Sequence, residues 1–337
     1  MAGRTENNEG DAMRYLVTGS AGFIGFHTCV ALLMDGHEVV GLDNFNSYYD
    51  PLLKKDRVAC LYEFPKYMHK TADITDGPAM LDLIQHGFDY VIHLAAQAGV
   101  RYSLEQPHDY IDTNIKGFQN ILDAIRETPE NSPRRLLYAS SSSVYGSNKS
   151  MPFKEGDRTD GPSNIYATTK KTNELQAEAY HQLFGIRSTA LRFFTVYGPW
   201  GRPDMALFKF ADAISRGKPI DLYNGGDHQR DWTYVSDIVS GIQKIIEFDI
   251  ELPPVDRFNL CSNDPTELKD FVSLLGKELD RPVGINLLPL QQGDIQATWG
   301  DNDKLRSMGW SPRVLVDQGI SRFVNWYQKY YAKRNGK

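Results

Sequence analysis

The sequence predicts an α/β fold, a doubly wound parallel sheet with a smaller C-terminal lobe. Three observations carry this. Short apolar runs alternate with longer amphipathic stretches from Arg14 to about residue 195. The runs are apolar without interruption, as strands buried on both faces require. A glycine-rich turn joins the first run to the first amphipathic stretch, marking a tight strand-to-helix connection.

The elements come in a regular order. Tyr15-Leu16-Val17 is the first strand, residues 23–35 the first helix and residues 38–42 the second strand. Another strand precedes Asp73-Ile74. Further strands cover residues 90–94, 136–140 and 189–194, separated by helices over 109–126 and 167–184. After Tyr197 the texture changes to Pro/Gly-punctuated segments, Gly198-Pro199-Trp200-Gly201-Arg202-Pro203, Gly225-Gly226 and Pro253-Pro254. Residues 14–195 are thus expected to form the main unit, with a returning segment near 231–260 that includes a helix over 235–248. Residues 196–337 form mainly the smaller lobe, laid over the carboxyl edge of the sheet. Ligands of open α/β sheets bind at that edge, so the cleft is expected between the lobes.

Composition narrows the class. The 337 residues are 41% hydrophobic and 24% charged, an ordinary globular balance. The net charge of -6 argues against a nucleic-acid footprint. Cys29, Cys60 and Cys261 have no metal-type spacing and cannot all pair, so no metal is expected and a reducing cytoplasm is the simplest location. No run approaches the roughly 20 apolar residues that span a membrane. Residues 1–13 read as a flexible extension or an engineered remainder, with Met13 available as a natural start.

Thr18-Gly19-Ser20-Ala21-Gly22-Phe23-Ile24-Gly25 places glycines at positions one, four and seven between a strand and a helix, the context of a Rossmann-type dinucleotide site. Gly19 permits the turn, Gly22 lets a pyrophosphate approach the helix end, and Gly25 lets helix and sheet pack. The next strand ends at Asp43-Asn44, where an acid accepts bonds from the adenosine ribose. It would repel a 2′-phosphate, and no Arg lies nearby in sequence, so NAD is expected. Asp73 and Ile74 are placed at the adenine, and Leu94, Ala95 and Ala96 where the nucleotide passes the strand end. Phe23, Ile24, Gln97, Ala139 and Phe193 are assigned to the same cofactor site.

Tyr166 and Lys170 stand four apart on one helix face. A nearby ammonium and the positive nicotinamide are expected to lower the Tyr166 pKa and make phenolate a usable base. Tyr166 and Lys170 are also assigned to the cofactor site, Lys170 at the nicotinamide ribose. The serine run Ser140-Ser141-Ser142-Ser143 closes a strand near them. With the glycine motif, these residues resemble an extended short-chain dehydrogenase/reductase of the nucleotide-sugar branch, over essentially the whole chain from Arg14 to Tyr331. The segments 93–103, His93 through Ser103, and 192–205, Arg192 through Met205, resemble the UDP-glucuronate 4-epimerases.

That resemblance implies a C4 epimerase that holds NAD tightly. Its Tyr removes the 4-hydroxyl proton while NAD takes the C4 hydride; the 4-keto sugar turns, and hydride returns to the other face. It makes Tyr166 the base, Lys170 its partner and Ser141 the hydroxyl at the 4-oxygen. It places Asn114 near the cofactor, Arg230 at the diphosphate, Asp294 at the nucleotide ribose, and Met205, Ala206, Leu207 and Phe208 around the uracil with Tyr223 nearby. For Phe208 and Tyr223, core packing is the equal alternative. The resemblance also implies a homodimer built on the helices from Asp109 and Ala167.

Sister enzymes that eliminate water or decarboxylate carry acids before Val-Tyr-Gly, where this chain has Ser142 and Ser143. Elimination needs an acid and a base, which hydroxyls of ordinary pKa supply poorly. Ser142, Ser143 and Thr195 are instead candidates to hold a C6 carboxylate. Arg202 and Arg101 are candidate carboxylate or phosphate binders, with a structural salt bridge an equal alternative for Arg101. His93 is expected to be a packed core histidine. The alternatives are a UDP-glucose/UDP-galactose 4-epimerase, a UDP-glucuronate decarboxylase and, in a different class, a non-catalytic NAD-binding module.

Overall fold

A computed structural model describes residues 12–289 and 297–335. The chain begins with β1 (Arg14–Thr18), α1 (Phe23–Met34), β2 (Glu38–Asp43), α2 (Pro51–Leu61), β3 (Tyr67–Thr71), α3 (Gly77–Ile84) and β4 (Tyr90–His93). Two short helices come next, α4 (Tyr102–Glu105) and α5 (Pro107–Tyr110), then a π-helical segment, Ile111–Lys116, and α6 (Gly117–Glu127). The unit continues through β5 (Arg135–Ser141), α7 (Ile165–Phe184) and β6 (Ser188–Phe193).

The rest of the chain holds β7 (Thr195–Tyr197), α8 (Ala206–Ser215), β8 (Ile220–Tyr223), β9 (Gln229–Tyr234), α9 (Val235–Glu247) and β10 (Val255–Leu260). It ends with β11 (Pro265–Glu267), α10 (Leu268–Glu278), β12 (Ile285–Leu288), β13 (Ala297–Thr298), α11 (Asp303–Arg306) and α12 (Val316–Asn335).

Seven strands form one sheet in the order β10-β6-β5-β4-β1-β2-β3, every neighbouring pair parallel. Alternation within strands sorts the side chains to two faces. Val17, Ile92, Leu137 and Leu191 join a core with α1, α9 and α12, whereas Leu16, Val91, Leu136 and Ala190 join one with α3 and α6. The first core continues into the late part of the chain through Trp232, Phe271 and Phe323, so no polar seam separates the two parts there. The order reverses between β1 and β4, and a sheet of this kind opens a crevice at the carboxyl ends of those two strands.

Two local differences from the sequence-based expectation matter. The single helix expected over 109–126 is interrupted by π-helical turns at Ile111–Lys116. A π-turn shifts the hydrogen-bond ladder by one residue and re-aims the helix beyond it. Here it leaves the Asn114 carbonyl to accept from Asn173 Nδ2 of α7 at 2.7 Å. The strand expected over 189–194 breaks at Phe194, after which β7 leaves the sheet to pair with β9.

Candidate active site

A cavity of about 440 Å³ opens at the crevice between β1 and β4. Its floor is the glycine loop. Gly19 has φ +70°, and a Cβ there would lie 2.7 Å from Ala95 N; a Cβ on Gly25 would lie 2.1 Å from Gly19 O. Gly22 caps α1 without a side-chain bond, and the first turn holds no acid. The positive helix end therefore faces the cavity without a resident counter-charge, which suits an anion. Gly22, Phe23, Ile24 and Gly25 all line it.

At one end stands Asp43, the last residue of β2 and 7% exposed. It accepts the Phe45 N–H at 2.8 Å. No Arg is near Asp43 in sequence, but a cation that sequence reasoning missed is near it in space: the first turn of α2 brings Lys54 to 4.0 Å. Lys54 also donates to Asn46 O and Oδ1 at 3.0 and 2.6 Å. Burial holds its pKa below the usual lysine value, against the pull of Asp43. Asn44 and Ile74 line the cavity as expected, but Asp73 does not. Asp73 accepts from Asn44 Nδ2 at 2.7 Å and from Thr75, so it shapes the loop instead. Leu94, Ala95, Ala96, Gln97, Ala139 and Phe193 line the middle. Asn114 lies behind this wall, 2% exposed, receiving the Gln97 N–H and donating to Gln97 O at 2.8 and 3.0 Å. These residues together fit a dinucleotide: an acid at one end, an uncapped helix start in the middle and small side chains where a flat group must pass.

The other end holds Tyr166, Lys170 and Ser141. Asn164 caps α7 by accepting the Ala167 N–H at 2.8 Å, which starts the helix at Ile165 and places Tyr166 and Lys170 in its first two turns. Lys170 donates to Ala139 O at 2.8 Å, and burial pushes its pKa down to about 7. Burial raises the Tyr166 pKa above the ordinary tyrosine value, and a hydrogen bond with Ser141 and the charge of Arg202 offset only part of that rise, so the lowering expected from a nearby ammonium is not what this fold produces. Ser141 and Arg202 are the groups that draw it down. Lys170 is directed across the helix to the strand carbonyl, which takes its nearest N–H.

Ser142, Ser143, Thr195, Arg202 and Arg230 line the same end. Ser141 Oγ accepts the Ser143 N–H at 3.2 Å, folding the serines into a tight turn. Ser140 points the other way, to Glu174 at 2.8 Å. Arg202 forms a two-bond ion pair with Asp204, with Nε to Oδ1 at 3.0 Å and Nη2 to Oδ2, and Tyr48 donates to the same carboxylate at 3.2 Å. Burial opposes the Arg202 charge, but Asp204 more than offsets it and keeps the guanidinium ionised. Tyr48 and Asp204 were not singled out from sequence, since neither carries a motif.

Other assignments are placed elsewhere. Leu207 and Phe208 open α8 with side chains 4% and 5% exposed, Phe208 packed among Phe323, Trp326, Tyr327 and Tyr331. Amphipathic packing claims that face, and of the segment expected at the uracil only Met205 lines the cavity. Arg101 is exposed, its guanidinium 5.0 Å from the Tyr223 ring centroid; neither residue lines the cavity. His93 is 4% exposed with Nδ1 2.8 Å from Thr18 Oγ1, a packed histidine. Asp294 lies outside the described residues. Among the described residues Asp43 is the only carboxylate lining the cavity, at the end away from Tyr166. No cluster of metal-ligating side chains and no helix long and apolar enough to cross a membrane occurs among them.

The chain is similar to known proteins throughout. The NAD dependent epimerase/dehydratase family matches residues 15–261. A probable UDP-glucuronate 4-epimerase of Rhizobium meliloti is 43% identical over 95% of this chain and 98% of that protein. UDP-glucuronate 4-epimerase 4 of Arabidopsis thaliana is 41% identical over 98% of this chain and 78% of that protein. The crystal structure of UDP-glucuronic acid 4-epimerase from Bacillus cereus, in complex with UDP-glucuronic acid and NAD, superposes with a TM-score of 0.88. It is 31% identical, over 95% of this chain and 100% of that one. The family match runs from within β1 to the end of β10, and so takes in the whole central sheet as well as the residues gathered at its carboxyl edge. The chain belongs to the NAD dependent epimerase/dehydratase family.

Proposed function

We propose that this chain converts UDP-glucuronate to UDP-galacturonate by C4 epimerisation with a resident NAD. The observation that carries this is the sugar end of the cavity: hydroxyls and Arg202 surround Tyr166, and no described carboxylate lines that end. Elimination of water from the 4-keto sugar needs an acid–base pair, which the described residues of this wall do not supply. The similarity to UDP-glucuronate 4-epimerases supports the same reading.

NAD, when bound, supplies a reversible hydride acceptor. Gly19, Gly22 and Gly25 with the start of α1 hold its pyrophosphate, and Asp43 its adenosine ribose. Tyr166 takes the 4-hydroxyl proton, and Ser141, already bonded to it, orients that oxygen. Lys170 fixes the strand end through Ala139. Ser142, Ser143 and Thr195 donate to the uronate carboxylate, with Arg202 as its counter-ion. Arg230 meets the diphosphate through charge-assisted bonds. Holding the carboxylate matters because a 4-keto uronate is a β-keto acid, which loses carbon dioxide when the carboxylate bond aligns with the carbonyl π system.

The direct test is incubation of the purified protein with UDP-glucuronate and NMR of the products. UDP-galacturonate is expected, with no accumulation of NADH. A UDP-pentose product would overturn the reading in favour of decarboxylation, and equal turnover of UDP-glucose would overturn the uronate preference.

The protein is further proposed to be a homodimer through α7 and the α5–α6 segment. Ile111, Leu175 and Leu183 are 44%, 58% and 70% exposed there, large apolar side chains that a second copy would cover. Light scattering is expected to give twice the 38.2 kDa chain mass; a monomer at micromolar concentration would reject the dimer. The three unpaired cysteines suit the cytoplasm, the location proposed here.

A further inference from the structure

Three arginines are fully buried: Arg57, Arg135 and Arg192. Two of them meet carboxylates, Arg135 at Asp249 and Arg192 at Glu174. Among the described residues Arg57 of α2 bonds only neutral oxygens. Its Nη1 donates to Ala21 O and Tyr49 Oη, both at 2.7 Å, and its Nη2 to Trp200 O at 2.6 Å and Gly201 O at 3.2 Å. A buried cation without a counter-ion is costly, and carbonyl dipoles offset only part of that cost. An apolar side chain of similar size would fill the space more cheaply, so the placement of the four oxygens calls for an explanation.

Those oxygens belong largely to two functional loops. Ala21 lies in the glycine loop, and Trp200 and Gly201 immediately precede Arg202. A second side chain of the cofactor lobe grips the same segment: His27 of α1 donates Nε2–H to Pro199 O at 2.9 Å. The segment needs gripping. Trp200 has φ +59°, a left-handed conformation that a bulky residue adopts only when its surroundings enforce it. Its ring is wedged against Phe26, Trp326 and Tyr330.

We propose that Arg57, assisted by His27, is a positioning residue that locks the strained Pro199–Gly201 turn onto the glycine loop and thereby sets Arg202 for the substrate carboxylate. The inference rests on the reading of Arg202 above. It makes the cofactor loop and the uronate-binding cation one rigid unit, so that recognition of the acid depends on a residue touching neither ligand.

The test is a double-mutant cycle on the holoenzyme with Arg57→Lys and Arg202→Ala, reading the Michaelis constant for UDP-glucuronate against the inhibition constant of UDP. Arg202→Ala is expected to raise the Michaelis constant by roughly 10- to 100-fold with little change for UDP, the scale of a hydrogen bond to a charged group. Arg57→Lys keeps the charge but loses the fork, and is expected to raise it about tenfold with NAD content unchanged. In the Arg202→Ala background the Arg57→Lys effect should vanish. Full additivity would overturn the positioning role while leaving Arg202 in place. If Arg57→Lys weakened UDP and NAD binding equally with the uronate, it would be a support of the glycine loop alone and the proposal would be rejected. Loss of UDP binding in Arg202→Ala would instead reject the carboxylate reading of Arg202, and the inference with it. Should Arg57→Lys fail to fold, His27→Leu frees the turn from its other side and must show the same coupling to Arg202.

Discussion

Replacing Tyr166 with phenylalanine is expected to reduce turnover of UDP-glucuronate by about 10²–10⁴-fold, the range for loss of a positioned acid–base group. The phenol is half-buried, bonded to Ser141 and set edge-to-face against Tyr110 at 6.1 Å. The ring contact survives the substitution, so the thermal midpoint should hardly move. NAD should also stay bound, because the glycine loop and Asp43 are untouched. Initial rates, with NAD counted after denaturation, measure both effects. Near-normal turnover would remove Tyr166 from the proton path; lost NAD would mean that the phenol also holds the cofactor.

The largest expected loss of stability is at Glu174. Tyr166, Lys170 and Glu174 recur every four residues on one face of α7, and Glu174 is the anchor of that row. Its carboxylate receives Arg192 Nε and Nη2, both at 2.8 Å, and Ser140 Oγ at 2.8 Å. Arg192 is 0% exposed and also donates to Tyr145 Oη at 3.0 Å and Glu155 O at 3.1 Å. Tyr145 in turn donates to Asn259 on β10 at 2.6 Å. The network therefore ties α7, β5, β6 and β10 together beside the turn of Ser141–Ser143.

Glu174→Ala strands a buried guanidinium, which costs about 3–5 kcal/mol when a partner is removed. Urea unfolding should show a loss of that size, and a change under about 1 kcal/mol would mean that water replaces the carboxylate. The same pair makes stability depend on pH. Burial alone would raise the Glu174 pKa, but Arg192 more than offsets it and the folded value lies below the ordinary 4.5. Glu174 thus contributes its full stabilisation above that ordinary value and loses it as the pH falls through the lower folded one. The gap between wild type and Glu174→Ala should close in acid.

Much of this site was legible in the chain because its signals are local. Strand and helix periods differ, so alternation placed β1, β2, β4, β5 and β6 within a residue or so of their observed ends. Three glycines between a strand and a helix marked the loop, since only glycine allows Gly19 its turn and Gly25 its contact. Tyr166 and Lys170 were visible because four residues make about one helical turn. The π-turn at Ile111–Lys116 was not, because its sequence has ordinary helical character and the shift in its ladder is taken up by α7.

The sequence by itself determined the order of strands and helices, the glycine loop and the face that carries Tyr166, all set by steric and periodic rules acting over a few residues. Tertiary structure alone decided which distant groups meet. Lys54 of α2 comes to 4.0 Å from Asp43, Tyr48 meets Asp204 across 156 residues of chain, and Arg57 finds carbonyls 36 and 143 residues away. Phe208 turns into the core because α12 offers it an aromatic surface. A sequence pattern specifies which face of an element is apolar, but the partner of a buried charge depends on how those faces pack, and that is settled only when the whole chain has closed.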